Sequence, residues 1–423
     1  MDIRIAFILF SLGLVVCAYL FLSRREGNYV NILFTYMLIT VPSVFLLEIV
    51  YLSVFKAQGS VYAYLYCYAT YGLSVLAMVV AYLATPNTWV PVLIDLPGVR
   101  IPGLAWMMLL AGVTLYLPII AAYPDLLLSP REIYKLTRTG FGIQYFISTL
   151  LAYLALIIAC FRPPRSRLSA AIFVALLGLL LYLHGSKGQI IYAFLIWLSY
   201  VVFVRGRSFK LGGLIGVGGV GTVVIALLFY ITLPPTMKTN FIIGVASYSD
   251  YTRNATLVID DSNLAPQMGR LTAEASLYTM VPRAMFPDKP RDFGSLWLAK
   301  RYFPEWFAEN TGSPAFGIGV SYADFRQLAF VWEAFTHLVL GCVLKILVVR
   351  LRTRPDPGTF VLLLPMIDIG LIPAGSPVPF AVYYVIAHII NILFGSIRPA
   401  QQTAASRWRL PLPRALPIPR PNE

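Results

Sequence analysis

Long apolar segments recur along almost the whole chain and are separated by short polar connections. Each segment is close to the roughly 20 residues that an α-helix needs to cross a bilayer. The pattern therefore predicts an all-α, polytopic integral membrane protein with about 11 transmembrane helices, within a range of about 10 to 12. The spans are predicted at residues 5–22, 30–52, 61–84, 103–123, 143–161, 168–184, 189–204, 211–232, 326–348, 359–373 and 378–396.

One long polar stretch interrupts this pattern and divides the chain into four predicted parts. Residues 1–232 are predicted to form an N-terminal bundle of about eight spans, and residues 233–325 a large loop. Residues 326–397 supply the C-terminal spans. Residues 398–423 are rich in proline and arginine, so this tail is predicted to be disordered and to lie on an anionic membrane surface.

Composition agrees with the span pattern and excludes a water-soluble fold. The chain is 58% hydrophobic and only 12% charged, with a mean hydropathy of +0.74, whereas soluble domains carry about 25% charged residues. The net charge of +14 does not indicate nucleic-acid binding, because most basic residues lie in short connections between spans. None of the four cysteines belongs to a CxxC pair, so neither a zinc site nor a disulfide framework is predicted.

The basic residues also orient the predicted spans. They concentrate in the odd-numbered connections, which the positive-inside rule places in the cytoplasm. This predicts an outside N-terminus, an inside C-terminus and an outward-facing loop at 233–325. The fourth connection, which carries Arg131, Lys135 and Arg138, is an exception. The basic residues of the odd connections are Arg24, Arg25, Arg100, Arg162, Arg165, Arg167, Arg205, Arg207, Lys210, Arg350, Arg352 and Arg354.

A short basic segment in the loop is the leading candidate for chemistry. Residues 278–291 hold three prolines. Prolines fix the backbone dihedral φ, so Arg283, Lys289 and Arg291 are predicted to have little conformational freedom to lose on binding. A rigid cationic loop beside a membrane suits the phosphates of a lipid-linked ligand. Asp288 is expected to orient its basic neighbours.

Side chains around this segment extend the candidate site. Residues 269–281 are predicted to be helical, and Arg270 and Glu274 would then share one face and pair. Aromatic side chains follow, including Trp297 and Tyr302. Flat aromatic faces beside carboxylates suit sugar rings. The alternative is that these aromatic residues form a belt at the membrane surface.

Ionisable residues inside predicted spans are costly and therefore point to function. Arg326, Glu333 and His337 recur at spacings of seven and four, which predicts that they share one helix stripe. Lys187 lies in the turn at 185–188 that opens a span. With the predicted orientation, the outer ends of the spans carry Glu48, His184, Glu333 and Asp368. These groups are expected to converge on one outward-facing polar cavity; the alternative is that each is paired separately for structure.

The basic segment also carries a family resemblance. Residues 280–290, Met-Val-Pro-Arg-Ala-Met-Phe-Pro-Asp-Lys-Pro, resemble the signature of bacterial oligosaccharide repeat-unit polymerases of the Wzy type. Residues 185–188, Gly-Ser-Lys-Gly, resemble a small-residue and basic turn of that family, with lysine where arginine is usual. The resemblance covers roughly residues 180–345. Further positions that resemble the family pattern are Arg270, Glu274, Gly317, Gly319 and Asp324.

The resemblance implies an enzyme that joins oligosaccharide repeat units outside the bacterial cytoplasmic membrane, as a multi-pass inner-membrane protein. The growing glycan would leave an undecaprenyl-pyrophosphate carrier for the sugar end of a new lipid-linked repeat unit. No cofactor and no metal is expected. The expected partners are undecaprenyl-pyrophosphate-linked oligosaccharides, membrane lipids and a chain-length regulator, without nucleic acid.

The implied reaction needs cations, a proton acceptor and a sugar-binding surface. Cations would stabilise charge that develops on the leaving pyrophosphate, and a general base would take the proton of the acceptor hydroxyl. The candidates for pyrophosphate binding are Arg283, Lys289, Arg291, Arg270 and Lys187. The candidates for the catalytic proton acceptor are Asp324, Glu274, Glu333 and His337, with none preferred. The candidates for lining the substrate cavity are Arg326, Asp288, Trp297 and Tyr302.

Three other functions stay open at this point. An O-antigen ligase-like enzyme would use the same donor and transfer the glycan to an acceptor that is not the carrier. A transporter or flippase would also use buried ionisable residues, although the sequence lacks an internal repeat and paired broken helices in matching halves. A structural subunit of a secretion complex is less attractive, because it gives the basic segment no role.

Overall fold

The structure is a computed structural model that describes most of the chain. The described residues are 2–55, 58–88, 99–127, 130–137, 140–185, 187–210, 212, 216, 241–248, 250–279, 281, 286–310, 314–367 and 377–395. Within these ranges all regular structure is helical. The predicted tail at 398–423, and the predicted eighth span at 211–232 except for two glycines, lie outside the described residues.

The described residues form seventeen helices, of which the long apolar ones build a bundle. Six helical segments, counting Gly319–Thr353 as one, are long and apolar enough to cross a membrane. In chain order the helices are α1 (Ile3–Glu26), α2 (Tyr36–Val54), α3 (Val61–Ala84), α4 (Leu104–Ala122), α5 (Pro130–Thr137), α6 (Gly142–Phe161), α7 (Arg167–Leu183), α8 (Lys187–Ser199), α9 (Phe241–Tyr248), α10 (Tyr251–Asp260), α11 (Arg270–Tyr278), α12 (Ser295–Tyr302), α13 (Pro304–Asn310), α14 (Gly319–Phe325), α15 (Ala329–Thr353), α16 (Pro357–Ile367) and α17 (Pro377–Phe394).

The apolar helices agree with the predicted spans. Helices α1 to α4, α6 to α8, α15 and α17 cover the predicted first to seventh, ninth and eleventh spans. Helix α16 covers the described part of the tenth. The prediction of an all-α, polytopic membrane protein is therefore confirmed. The number of spans and the outside N-terminus stay predictions.

Residues with short polar side chains lie just before several of these helices and cap their first turns. The side chains of Asp2, Ser60 and Ser166 each accept a hydrogen bond from a backbone N–H in the first turn of α1, α3 and α7. Such caps satisfy N–H groups that have no partner inside the helix. Gly27 ends α1 at a φ of +64°, a left-handed conformation that glycine adopts without strain.

Helices α3 and α15 form the centre of the bundle and pack closely. A Cβ at Gly341 would lie 2.2 Å from the backbone oxygen of Met78, so only glycine permits this approach. Helix α1 packs on the other side of α3, where the Ser11 hydroxyl donates to the Tyr68 carbonyl at 2.7 Å. Small residues at such crossings let backbones approach and increase van der Waals contact, which is the main attraction between helices in lipid.

The two ends of the bundle differ in composition. The guanidinium of Arg4 lies 5.8 Å from the Tyr64 ring, so the N-terminal ends of α1 and α3 share one end. Arg352 donates to Glu26 at 3.3 Å, so the C-terminal ends of α1 and α15 share the other, here called the arginine end. The basic residues of the predicted odd connections lie there. This grouping is the one that the charge alternation predicts.

The polar region at 233–325, predicted as a loop, is largely helical in its described residues. Helices α9 and α10 pack against α2 and α3, so they belong to the bundle. Helix α10 buries Thr252, Arg253 and Asn254 although all three are polar. The described residues of 261–328, which include α11 to α14, lie on the end of the bundle opposite the arginine end and are here called the cap module. The large outward loop at 233–325 stays a prediction, and its described residues are helical, with α9 and α10 packed on the bundle.

Candidate functional site

Helix α14 joins the cap module to the membrane bundle. It has only seven residues, and two of its buried polar side chains contact different helices. The Ser321 hydroxyl donates to the Glu333 carboxylate on α15. The Asp324 carboxylate accepts hydrogen bonds from the first turn of α11. Ser321 and Asp324, one helical turn apart, thus link the Glu333 carboxylate of the bundle to the first turn of α11 in the cap module.

Glu333 and His337 form a buried carboxylate–histidine cluster near the start of α15. The Nδ1 atom of His337 lies 2.8 Å from the Glu333 carbonyl oxygen and 3.7 Å from its Oε2. Both of these atoms are acceptors, so Nδ1 is the donor of this hydrogen bond. Tyr36 and Tyr71 interact electrostatically with Glu333. The hydrogen bond to the Glu333 carbonyl, within the same helix, fixes the orientation of the His337 ring.

The structure corrects the predicted stripe of Arg326, Glu333 and His337. A 3₁₀ turn, Arg326–Leu328, separates α14 from α15, and Arg326 has a φ of +52°. Its guanidinium donates to the Asp261 carbonyl in the cap module at 3.1 Å. Glu333 and His337 therefore share a helix face, as predicted, but Arg326 does not lie on it. A non-glycine residue in this conformation costs about 1–3 kcal/mol, and it ends the helix at a defined position.

A second buried cluster contains Arg253, which the sequence analysis did not single out. Arg253 Nε lies 3.6 Å from Glu48 Oε2, and both residues are at least 94% buried (6% and 1% exposed). The Tyr64 hydroxyl donates to Glu48 Oε1 at 2.6 Å, and the Arg253 guanidinium stacks on the Tyr51 ring at 3.8 Å. Arg253 also donates to the Ala246 carbonyl at 2.9 Å. The ion pair joins α10 to α2.

A stripe of tyrosines on α3 runs between the two clusters. Tyr64, Tyr68 and Tyr71 follow the spacing i, i+4 and i+7 and are therefore on one face of the helix. Tyr64 donates to Glu48, Tyr68 contacts the Thr252 hydroxyl at 3.2 Å, and Tyr71 interacts with Glu333. This spacing was visible in the sequence, and hydroxyl groups repeated at helical period within a span were the signal that could have found it.

Arg270 and Glu274 form the predicted pair on α11. Their closest charged atoms are 3.6 Å apart, and the Arg270 guanidinium lies 5.3 Å from the Trp297 ring centroid. Glu274 Oε2 also accepts from the Gly294 N–H at 3.3 Å. The Arg270 side chain is 47% exposed. The predicted helix at 269–281 is thus confirmed with the shorter bounds Arg270–Tyr278. The Arg270 side chain is partly open to solvent, whereas Glu274 has two partners, Arg270 and Gly294.

Asp324 is fully buried and supports the start of α11. Its carboxylate accepts from the N–H groups of Leu271 and Thr272 at 2.9 and 2.8 Å, and from the Thr272 hydroxyl at 2.7 Å. The N-terminus of a helix is a natural anion site because its N–H groups lack partners in the helix. Here Asp324 occupies that site itself. The geometry thus gives Asp324 a structural task.

Replacement of Asp324 by asparagine is expected to destabilise the protein without abolishing its chemistry. An amide can accept only through its oxygen, so at least one buried donor of α11 loses its partner, at a cost of about 1–3 kcal/mol. Thermal unfolding of the purified variant in detergent would show a lower midpoint. Per folded molecule, the activity should stay within about tenfold of the parent. Loss of activity with an unchanged midpoint would instead make Asp324 a proton acceptor.

Residues 280 and 282–285 of the basic segment, and with them Arg283, lie outside the described residues. The Lys289 ammonium donates to the carbonyls of Tyr278 and Val281, which satisfies the C-terminal end of α11. Arg291 and Asp288 are exposed, and neither contacts another polar group in the described parts of the chain. Lys289 thus helps to fold the segment, whereas Arg291 is free to meet a ligand.

Two further predicted site residues lie on α12 and α8. The Tyr302 hydroxyl donates to Asp261 Oδ2 at 2.8 Å, beside Arg301 at the same distance. Partial burial would raise the pKa of Asp261, but the hydrogen bonds from Arg301 and Tyr302 outweigh it and hold that pKa below its usual range. Tyr302 therefore fixes the cap module. Lys187 begins α8, and its side chain is outside the description.

His184 and Asp368 complete the predicted set of embedded ionisable groups. His184 is fully buried between the rings of Tyr116 and Tyr145, and its Nδ1 lies 2.6 Å from the Leu180 carbonyl. It thus packs among α4, α6 and α7, away from Glu333. Asp368 lies outside the described residues. In the described chain the embedded groups divide among separate clusters, each with its own partners.

Comparison with known proteins decides the family. No family model matches the chain, and no solved structure matches it. The chain is 33% identical over 391 residues to the O-antigen polymerase of Salmonella typhimurium, across 92% of this chain and 95% of that protein. This chain belongs to the O-antigen polymerase family. The O-antigen polymerase of Salmonella typhi matches with the same identity and coverage.

The family assignment confirms the resemblance to Wzy-type polymerases and agrees with a multi-pass inner-membrane protein. The alignment extends over 92% of this O-antigen polymerase family member, far beyond the basic segment from which the resemblance was first seen. Most of the membrane bundle and most of the cap module must therefore fall within it. Both parts therefore belong to the similarity with the O-antigen polymerases.

Proposed function

We propose that this protein polymerises O-antigen repeat units at the outer face of the inner membrane. The observation that carries the proposal is the 33% identity to two O-antigen polymerases across nearly the full length of both chains. The donor would be a growing glycan on undecaprenyl pyrophosphate, and the acceptor a new repeat unit on the same kind of carrier. A chain-length regulator is a further proposed partner.

The reaction is a glycosyl transfer with pyrophosphate as the leaving group. The oxygen of an acceptor hydroxyl attacks C1 of the donor sugar, and the bond from C1 to the pyrophosphate oxygen breaks. The hydroxyl proton passes to a base on the protein, and the carrier pyrophosphate leaves with the bonding electrons. The protein must therefore supply a proton acceptor and positive charge beside the pyrophosphate.

His337 is the proposed base, positioned by Glu333. Its Nδ1 proton is directed to the Glu333 carbonyl at 2.8 Å, so Nε2 is the acceptor. The Glu333 carboxylate, 3.7 Å from Nδ1, would stabilise the imidazolium that forms. The other predicted acceptors have fixed partners, because Asp324 holds the start of α11 and Glu274 holds Arg270 and Gly294.

Among the described cations, Arg291 and Arg270 best suit the pyrophosphate. Arg283 and Lys187, whose side chains lie outside the described residues, are proposed to bind it with them. Arg291 is exposed and without a partner in the described residues. Arg270 lies on the same module with nearly half of its side chain open. A guanidinium donates two parallel hydrogen bonds to a phosphate, which an ammonium cannot do. The exposed carboxylate of Asp288 and the ring of Trp297 are proposed to contact the sugars.

Replacement of Arg283 or Arg291 by alanine is expected to abolish or strongly shorten the polymer while the protein stays folded. Removing a charge-assisted pair from a developing anion typically lowers the rate by about 10²- to 10³-fold. Product length would be measured with purified protein and purified lipid-linked repeat units. Lys300→Ala, which removes an exposed cation of the same module, is the matched control and should leave the product unchanged.

The same assay separates the proposed polymerase from a ligase. A polymerase extends lipid-linked repeat units when they are the only substrate, because they serve as both donor and acceptor. A ligase would leave them unextended and would need an acceptor that is not the carrier. Polymer of normal length from Arg283→Ala, at parental rates, would contradict the proposed role of this arginine.

A further inference from the structure

Several arginines at the arginine end lack a carboxylate partner among the described residues, and four of these lie together around one group of helix ends. Arg100, Arg162, Arg205 and Arg207 form no ion pair with any described residue. Two neighbours at the same end are paired, because Arg350 lies 3.6 Å from Asp356 and Arg352 lies 3.3 Å from Glu26. The end of the bundle therefore contains paired arginines and a separate unpaired group.

The unpaired arginines lie around one aromatic cluster. The Arg162 guanidinium is 3.7 Å from the Phe394 ring centroid. The chain on either side of Arg100 hydrogen-bonds to the last turn of α17, where Val99 donates to the Ile392 carbonyl at 2.8 Å. The Phe161 ring contacts those of Phe394 and Tyr200, with centroids 6.2 and 5.1 Å apart. Helix ends α6, α8 and α17 thus meet here.

Arg205 and Arg207 extend this group beyond the C-terminal end of α8, after the π-helical turn Tyr200–Val204. The Arg205 Nε donates to the Tyr200 hydroxyl at 2.8 Å, and both arginines are exposed. An open groove is lined by Tyr200, Val201, Arg205 and Arg207. One turn before this groove, Trp197 keeps 45% of its surface exposed on the apolar face of α8. The groove is therefore polar at its arginines, and an exposed apolar part of α8 precedes it in the chain.

The like charges are close enough to affect one another. Partial burial lowers the pKa of Arg162, and the positive charge of Arg100 lowers it further. Like charges without a counter-ion oppose each other, and a bound anion would relieve this repulsion. Clustered basic residues between helix ends are the usual place for an anionic lipid head group.

We propose that the groove of Tyr200, Arg205 and Arg207, with Arg162 and Arg100 beside it, binds the phosphodiester of an anionic phospholipid. The head group would accept hydrogen bonds from the guanidinium groups. An acyl chain would lie along the apolar face of α8 past Trp197. This site is at the opposite end of the bundle from Glu333 and His337, so it is separate from the proposed reaction.

The apolar face decides between a lipid and a free anion. Inorganic phosphate would satisfy the arginines but would leave Trp197 and the α8 face unused. A phospholipid places its phosphodiester on the arginines and its acyl chain on the apolar face of α8. A neutral lipid would fill the apolar face and leave the arginines without an anion. Only the anionic lipid matches both the arginines of the groove and the exposed apolar face of α8.

The test measures the binding of phosphatidylglycerol to the purified, full-length protein by native mass spectrometry and by thermal unfolding in mixed micelles. Phosphatidylcholine and inorganic phosphate are the comparison ligands. Phosphatidylglycerol is expected to be retained and to raise the unfolding midpoint more than either. The double variant Arg162→Gln/Arg205→Gln is expected to bind about 30-fold more weakly, because each arginine near the anionic group contributes about 1 kcal/mol.

The control removes the same charge from the same end but outside the groove. Arg24→Gln/Arg25→Gln changes two basic residues in the last turn of α1, and its binding should stay near the parental value. Equal weakening in both double variants would overturn the proposal in favour of diffuse surface charge. An equal effect of phosphatidylcholine or of inorganic phosphate would also overturn it. Arg207→Gln, an exposed site, provides a test if the first variant does not fold; it should weaken binding about fivefold.

Discussion

Replacement of His337 by asparagine is expected to lower the polymerisation rate by about 10²- to 10⁴-fold, the usual contribution of a positioned general base. Asparagine can still donate to the Glu333 carbonyl, so the packing of α15 is retained while the proton acceptor is lost. The rate would be measured in a single turnover with purified lipid-linked repeat units. His388→Asn, at a histidine packed on Tyr384 in α17, is the matched control and should retain parental rates.

Glu333 is proposed to position His337, so a Glu333 variant should affect the rate differently from a His337 variant. Glu333→Gln keeps the shape and can still accept from Ser321, but it removes the charge that would stabilise the His337 imidazolium. The rate should therefore fall less than in His337→Asn. Full activity of His337→Asn at every pH would contradict the proposed role of His337 as the base.

Replacement of Arg253 by methionine is expected to cost about 3–5 kcal/mol of the free energy of unfolding. The variant leaves the Glu48 carboxylate buried without its cation, and Glu48 is only 1% exposed. Helix α10 would also lose its link to α2. Unfolding in detergent, followed by tryptophan fluorescence, gives the stability, and the amount of protein in the membrane gives an independent reading.

A double variant tests the physical reason for this loss. Glu48→Leu/Arg253→Met removes both charges together, so most of the lost stability should return. Arg301→Gln breaks the more exposed pair with Asp261 and should change stability by no more than about 1 kcal/mol. If Arg253→Met alone were as mild as Arg301→Gln, the buried ion pair would not be what holds α10.

The sequence predicted the bundle well because each span is specified locally. A run of apolar residues near the length of a bilayer satisfies its own backbone hydrogen bonds as a helix, whatever surrounds it. Helix α11 and its pair Arg270–Glu274 were also predicted correctly, because residues four apart meet on one face of a helix. Glu333 and His337 followed the same rule.

The prediction that relied on an unbroken helix from Arg326 to His337 was wrong for Arg326. Arg326 was placed on the Glu333 stripe, but the turn at Arg326–Leu328 directs its guanidinium to Asp261 instead. Nothing in the spacing reveals that turn, because its unusual φ is imposed by contacts from the cap module. The packing of α10 on the bundle, within the polar region at 233–325, was not predicted for a similar reason. The polar composition of this region hid the fact that α10 finds charged partners inside the bundle.

The sequence by itself determined the class of this protein: apolar length specified membrane helices, the charge pattern separated two ends, and the basic segment indicated the family. Only the tertiary structure decided which polar groups are available for chemistry. Asp324, Lys289 and Tyr302 are engaged in holding the cap module together, and Arg253 is matched to Glu48 from a distant part of the chain. The reason is that a buried charge is tolerated only beside a partner, and partners far apart in sequence are chosen by the packing of helices.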